Sequence, residues 1–347
     1  MTTENARHFF EKYTGAKSSE FYILPKSGSS RMNFVGESSG QKFIITFNEN
    51  LAENESFYYF SKIFSDLGLN TPQVLNISKD RKLYIQEFLG EKTLSEIIAE
   101  EGPTEKTRFL VEQVLRKLFE IQRKTENIID WTKTFEYEKY NEFPITNDSF
   151  YFKSFIADVL EIPYHKGKLL KEFKKLTAIL SKLEPKGLMI RDFQARNIMV
   201  NDQGEVFFID YQSSMNGPLM YDVVSFLFQA KANFTEEFRN DMLEYYFSLW
   251  ENDSSEHQTK KEKITQLKNS LKPIQLIRFL QVLGAYGFRG LIQRKEHFIS
   301  SIEKGIENLH SFSENWQEMN DFPELKNLIS ILKSDETSQK IQTIITQ

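Results

Sequence analysis

The stretch Ile190-Arg191-Asp192-Phe193-Gln194-Ala195-Arg196-Asn197 runs on through Ile198-Met199-Val200 and Asn201-Asp202-Gln203-Gly204-Glu205 to Val206-Phe207-Phe208-Ile209-Asp210. An apolar triplet, a polar Gly-containing turn and a second apolar run read as a β-hairpin. Pairing Val200 with Glu205 across the turn puts Asn197 opposite Phe208, with Asp210 two residues further along the same open end. Asp192 stands five positions before Asn197, in a segment that must loop rather than continue the hairpin. Three oxygen-bearing side chains therefore converge.

Upstream, Phe21 to Leu24, Asn33 to Gly36 and Lys42 to Phe47 are short β-prone runs separated by Gly/Ser punctuation. Phe57, Phe60, Ile63, Phe64 and Leu67 follow at helical spacing and Gly68 is a helix stop. Val74 to Ile77 and Lys82 to Phe88 add two strands around Lys79-Asp80-Arg81, with Leu89-Gly90 as the exit. From Glu91 onward helical stripes dominate, at Leu110, Val114, Leu118 and Ile121, then at Leu169, Phe173, Leu176, Leu180 and Leu183. The hairpin thus interrupts a helical region. The polar run Glu251 to Lys263 reads as a solvated loop, and a tail from Ser334 is expected to fray.

The chain has 347 residues, room for two domains, and 31 Phe with 14 Tyr make it far too aromatic for disorder. A net charge of −5 gives no overall field drawing it to nucleic acid or anionic lipid. With no cysteine, disulfides, thiolate metal sites and a cysteine nucleophile are excluded. No two of His8, His165, His257, His297 and His310 have the i, i+4 spacing of zinc ligands, so any metal should be held by oxygen. The polar N-terminus lacks a signal-peptide core, and no apolar run approaches the ~18 residues of a membrane span. A cytoplasmic protein without nucleic-acid or membrane partners is expected.

Asp-x-x-x-x-Asn, a strand pair, then Asp after Phe-Phe-Ile is the arrangement by which kinases transfer phosphoryl groups. Mg²⁺ prefers oxygen ligands and is held by one or two carboxylates with substrate phosphates, which suits Asp210 with the Asn197 carbonyl. Asp192 is free of that duty and is placed to orient an acceptor hydroxyl and take its proton.

These residues, with Ile209-Asp210-Tyr211-Gln212 and Gly217-Pro218-Leu219-Met220-Tyr221-Asp222, resemble the aminoglycoside phosphotransferase and choline kinase superfamily. Within it they are most similar to the N-acetylmuramate/N-acetylglucosamine kinase branch. The resemblance covers about Phe21 to Phe298. It implies an α+β, bilobal, protein-kinase-like fold: a small sheet lobe over 1–89 that binds ATP, a mainly helical catalytic and acceptor lobe over 90–347, and the site in the cleft between them. It further implies Asp192 as catalytic base, Asn197 and Asp210 as Mg²⁺ ligands, and Asp222 as a buried brace for the catalytic loop. The acceptor it implies is an amino sugar; a choline or aminoglycoside acceptor, or a nucleotide-binding pseudokinase scaffold, are the rival readings. Ile190 departs from the superfamily, which usually has histidine there.

In the small lobe, Ser27, Gly28 and Ser29 of the turn Pro25 to Arg31 are the phosphate-covering candidates, offering backbone N–H groups. The strand Lys42 to Phe47 should carry a lysine for the phosphates, yet Thr46 occupies that place. Arg31 or Lys42 can substitute, anchored by Glu55 at the start of the next helix. Gln86 and Phe88 mark the strand exit where backbone groups would meet the adenine. Leu283 to Gly290 combines three glycines with Tyr286, Phe288 and Arg289, a composition suited either to a sugar pocket or to tight helix packing. Tyr286 and Arg289 are its acceptor candidates, and Tyr151, Phe152 and Lys153 are similarly placed by the resemblance.

Overall fold

The computed structural model describes residues 2–25, 31–253 and 260–346. In chain order the elements are α1 (Thr3–Thr14), β1 (Glu20–Ile23), β2 (Met32–Ser38), β3 (Gln41–Phe47), α2 (Leu51–Asp66), β4 (Val74–Ile77), β5 (Leu83–Glu87), β6 (Lys92–Thr93), α3 (Leu94–Glu101) and α4 (Glu105–Lys124). There follow α5 (Glu142–Phe152), α6 (Lys166–Leu180), β7 (Lys186–Met189), β8 (Ile198–Val200), β9 (Val206–Phe208), β10 (Met215–Pro218), α7 (Met220–Leu227), α8 (Glu236–Glu251), α9 (Lys260–Tyr286), α10 (Glu296–Asn315), α11 (Pro323–Leu332) and α12 (Asp335–Thr346). They group into two compact units, Met1–Glu138 with Ile190–Met215, and Lys139–Met189 with Asn216–Gln347. This grouping does not follow the expected boundary at Leu89. The reason is packing: β6 pairs with β8 in a second, three-stranded sheet, the Gln113 side chain of α4 donates to the Gly204 carbonyl at 2.9 Å, and the Phe208 N–H donates to the Asn70 carbonyl at 2.8 Å, so the hairpin ties α4 to the residues around α2.

In the first unit the five-stranded antiparallel sheet has the order β1-β2-β3-β5-β4. Strand alternation sorts its side chains between two faces. Phe34, Phe43, Ile45, Phe47, Leu83 and Ile85 point to one face and form a core with Ala6 and Phe10 of α1, a helix the sequence reading did not anticipate. Gly36 admits this helix, because a Cβ there would lie 2.7 Å from the Phe10 ring. The other face presents Asn33, Val35, Ile44, Thr46, Tyr84 and Gln86. α2 begins at its Asn50 cap, whose side chain accepts from the Glu53 N–H, and Phe57 packs on Tyr84 with ring centroids 4.9 Å apart.

The hairpin β8–β9 forms in a register one residue away from that expected: Val200 pairs with Val206 and Ile198 with Phe208. Gly204, at φ +76°, adds a left-handed residue to the turn and moves the pairing by one. Asn197 accordingly meets Ile209, whose N–H donates to the Asn197 carbonyl at 3.1 Å.

The second unit is mainly helical, with β7 and β10 paired as a small two-stranded sheet. α5 packs closely on α9, where Gly284 leaves room for the Tyr151–Phe152 backbone; a Cβ there would approach Phe152 N to 2.7 Å. Two readings of its sequence are corrected. Lys260 to Lys263 of the polar run already belong to α9, while 254–259 lie outside the described residues. The segment after Ser334 is α12, kept helical by burial of Thr337 and Ile341. Among the described residues no helix is long and apolar enough to cross a membrane.

Candidate active site

The first unit contains a cavity of about 570 Å³ on the Asn33–Thr46–Tyr84 face of the sheet. Val35 and Ile44 line it together with Met199 and Ile209, and the strand exit contributes Gln86 to Glu91. Both expected exit residues, Gln86 and Phe88, line it. Gly90, at φ +128°, lets the exit pass the hairpin; a Cβ would come within 2.6 Å of the Val200 carbonyl oxygen. Arg31, Asn197 and Asp210 form one polar cluster in the lining.

Asp210 has φ +64°, a conformation that needs support in a non-glycine residue. The support comes from its neighbours. Tyr211 is fully buried, its ring stacked on Phe57 at 5.2 Å and its hydroxyl 2.8 Å from that of Ser61. The Gln212 carbonyl accepts from the Ser56 hydroxyl at 2.7 Å, so α2 holds the two residues that follow Asp210. The Asp210 carboxylate accepts from Arg31, from Gln212 Nε2 at 3.0 Å and from Asn197 Nδ2 at 3.3 Å. Burial raises its pKa, but the Arg31 guanidinium and the Gln212 amide outweigh that and hold it below the usual carboxylate range.

Asn197 Nδ2 also donates to the Asp192 carbonyl at 2.8 Å, which ties the 190–197 loop to the hairpin. That loop turns sharply, with Arg191 at φ +81° and the Asp192 N–H reaching back to the Ile190 carbonyl at 3.2 Å. The Asp192 carboxylate is 37% exposed and receives Gln194 Nε2 at 2.9 Å on one oxygen and Arg196 Nη2 at 2.8 Å on the other. Asn197 thus bridges the Asp192 main chain and the Asp210 carboxylate, while the Asp192 carboxylate is held by Gln194 and Arg196.

The neighbouring charges are arranged differently from the sequence expectation. Glu55 does not anchor a cation in the cavity; it is half exposed and paired with Arg81, Nη2 to Oε2 being 2.6 Å. Glu53 takes that place, with Oε1 3.6 Å from Arg31 Nε and Oε2 accepting from Asn48 Nδ2 at 2.8 Å. Two residues apart on a helix is about 200°, so only one of the two glutamates can face the sheet. Lys42 pairs with Glu91 at 2.7 Å and lines a separate cavity with Gln41 and Asn201. Ser27, Gly28 and Ser29 lie outside the described residues. Arg196, Gln194 and Gln212 stand inside the motifs that the sequence reading singled out, but it assigned them no role.

In the second unit, Arg289 lies over the Phe298 ring at 5.1 Å and Tyr286 packs beside the same ring. Tyr151, Phe155 and Phe288 form a half-buried aromatic cluster, Phe155 and Phe288 being 4.8 Å apart. Gly287 serves close packing here, since a Cβ would collide with the Phe155 carbonyl. Asp222 is fully buried in the first turn of α7.

The chain is 25% identical over 258 residues to an N-acetylmuramate/N-acetylglucosamine kinase of Neisseria meningitidis serogroup B, covering 72% of this chain and 73% of that one. Its fold is similar to that of an aminoglycoside phosphotransferase, APH(2")-IIa, solved with gentamicin (TM-score 0.59, 17% identity, 89% and 96% of the two chains). It is similar as well to the choline kinase LicA of Streptococcus pneumoniae (0.56, 16%, 88% and 98%) and to a thermostable mutant of APH(4)-Ia solved with ADP and hygromycin B (0.56, 14%, 88% and 98%). The fold is therefore the kinase-like one, a small antiparallel sheet followed by a largely helical remainder. Residues 23–256, about two thirds of the chain, match the profile of the phosphotransferase enzyme family, APH, and the chain accordingly belongs to that family, as a kinase with a hydroxyl acceptor.

Proposed function

We propose that this protein is an ATP- and Mg²⁺-dependent cytoplasmic kinase that phosphorylates a hydroxyl of an amino sugar such as N-acetylmuramate or N-acetylglucosamine. The observation that carries the reading is that Asn197 and Asp210 line one cavity and are hydrogen-bonded to each other, with the Asn197 amide also tied to the main-chain carbonyl of Asp192. Support for the nucleotide comes from the cavity's apolar lining, Val35, Ile44, Met199 and Ile209, which suits a planar base beside the Gln86–Phe88 exit. The structural neighbour solved with ADP is consistent with it. The amino sugar rests on the Neisseria relative.

Asn197 and Asp210 fit a hard cation. The Asn197 amide nitrogen is engaged by the Asp192 carbonyl and by Asp210, which leaves its carbonyl oxygen to act with the Asp210 carboxylate. Mg²⁺ held by that pair would neutralise charge on the transferring phosphoryl group. Asp192 orients the acceptor hydroxyl and receives its proton as the hydroxyl oxygen bonds to the γ-phosphorus and the bond to the ADP oxygen breaks. Gln194 and Arg196 each occupy one site on its carboxylate oxygens, which have further lone pairs for this proton. Asp222 serves as a structural brace, and Tyr286 and Arg289 are the acceptor contacts in this proposal.

The test is ADP release from Mg-ATP with N-acetylmuramate, N-acetylglucosamine, other hexosamines, choline and an aminoglycoside, with Asp192→Asn as control. Turnover that depends on an amino sugar and is lost in the variant is expected. Turnover with choline or the aminoglycoside alone would replace the acceptor, and nucleotide binding with no turnover on any acceptor would favour the pseudokinase scaffold.

A further inference from the structure

Resting on the kinase reading above, we infer that Arg31 is the cation that receives the nucleotide's phosphates, anchored by Glu53, in place of the lysine that position 46 lacks. Thr46 cannot serve: it is 1% exposed and its hydroxyl is committed to Asn33 Oδ1 at 2.8 Å. The sheet register supplies the replacement. Asn33 directly opposes Thr46, and Arg31 comes two residues before Asn33, so its side chain issues on the same face, diagonal to position 46. A long side chain from position 31 therefore sweeps the space that one from position 46 would enter.

The surroundings of Arg31 match that task. Its side chain is 16% exposed, lines the cavity and has Glu53 of α2 at 3.6 Å, so a helix glutamate stands within ion-pair distance of the guanidinium. The same guanidinium touches Asp210, which places cation and metal ligand at one point where a polyphosphate needs both. Its planar fork suits two phosphate oxygens at once. Lys42 is a poor rival. It stands four residues, about 13 Å, along β3 from Thr46, and its ammonium is held by Glu91. Arg196 also lines the cavity, but it is engaged with Asp192.

The experiment compares binding of ATP and of adenosine by calorimetry in the wild type, Arg31→Met, the milder Arg31→Gln, Lys42→Met and the double variant Arg31→Gln/Thr46→Lys, with thermal unfolding as the check on folding. Loss of a charge-assisted contact should weaken ATP binding by about 10- to 100-fold in the Arg31 variants, leave adenosine binding unchanged, and leave Lys42→Met like wild type. A lysine at position 46 should recover much of the lost ATP affinity. ATP affinity within twofold of wild type in Arg31→Gln would overturn the inference, as would an equal loss for adenosine, which marks a structural role. No recovery in the double variant would refute the claim that positions 31 and 46 serve one phosphate site. The two readings fail separately: wild type that turns over an acceptor beside an Arg31→Gln that binds ATP normally removes only Arg31. A wild type that binds ATP but phosphorylates nothing removes only the kinase reading.

Discussion

Asp210→Asn isolates the charge at the centre of the site. Asparagine tolerates the left-handed conformation at φ +64°, so the change removes a negative charge without adding backbone strain. Arg31 and Asp210 are 16% and 27% exposed; at an effective dielectric near 20, two unit charges in contact interact by roughly 4 kcal/mol. Water reaching the rim screens part of this, and Arg31 keeps Glu53 when Asp210 is neutralised. The cost should therefore fall below the ~3–5 kcal/mol of breaking a fully buried pair, at about 1–3 kcal/mol. Asp210→Ala should cost about 1–2 kcal/mol more than the asparagine variant, from forcing alanine into the left-handed region. Denaturant unfolding without nucleotide measures both. Calorimetry of Mg-nucleotide binding supplies the second readout, where Asp210→Asn should lose at least the ~10–100-fold that follows removal of an outer-sphere partner of a metal. Unchanged stability in Asp210→Asn, equal stability of the two variants, or unchanged Mg-nucleotide affinity would each refute the corresponding step.

Asp192→Asn should keep nucleotide binding and lower turnover by roughly 10²–10⁴-fold, the usual cost of losing a general base; turnover equal to wild type would remove the assigned base. Gly36→Ala should destabilise the protein by about 1–3 kcal/mol by driving a methyl into the Phe10 ring. In a Phe10→Ala background the same change should cost less, and denaturation of the four proteins reads the difference. Glu96→Gln tests the N-terminal cap of α3, where the Thr93 N–H and then its hydroxyl hold the Glu96 pKa below its ordinary value. Its loss should cost about 0.3–1 kcal/mol at neutral pH. Because the folded-state pKa is lowered, that stability is complete above about pH 4.3 and is lost as pH falls through the folded value, so the gap between wild type and variant should close in acid.

Local spacing carried the reading a long way. The five sheet strands, the α4 stripe and the 190–210 constellation were legible because each is a pattern of near neighbours: alternation for a strand, three- and four-residue steps for a helix, a tight turn for the hairpin. A loop–hairpin unit brings Asp192, Asn197 and Asp210 together largely by its own geometry. For that reason the site survived a hairpin register wrong by one residue, since Asp210 follows Ile209 wherever Ile209 meets Asn197.

What escaped the sequence depends on partners far away in the chain. Glu53 and Glu55 share one helix turn and one chemistry; the packing of α2 on the sheet turns the first toward Arg31 and leaves the second with Arg81. Arg31 and Lys42 were equal candidates until the register of β2 on β3 and the position of Glu91 separated them. The left-handed backbone of Asp210 stands on Ser56, Phe57 and Ser61, about 150 residues earlier in the chain. The sequence by itself determined the five sheet strands, the hairpin and the α4 stripe, and with them the meeting of Asn197 and Asp210, because backbone geometry over a few residues is enough for each; α1 and α12 depended on the burial of their apolar faces. Tertiary structure alone decided which charged side chains face the cavity, because helical phase and strand register acquire a direction only when another element packs against them.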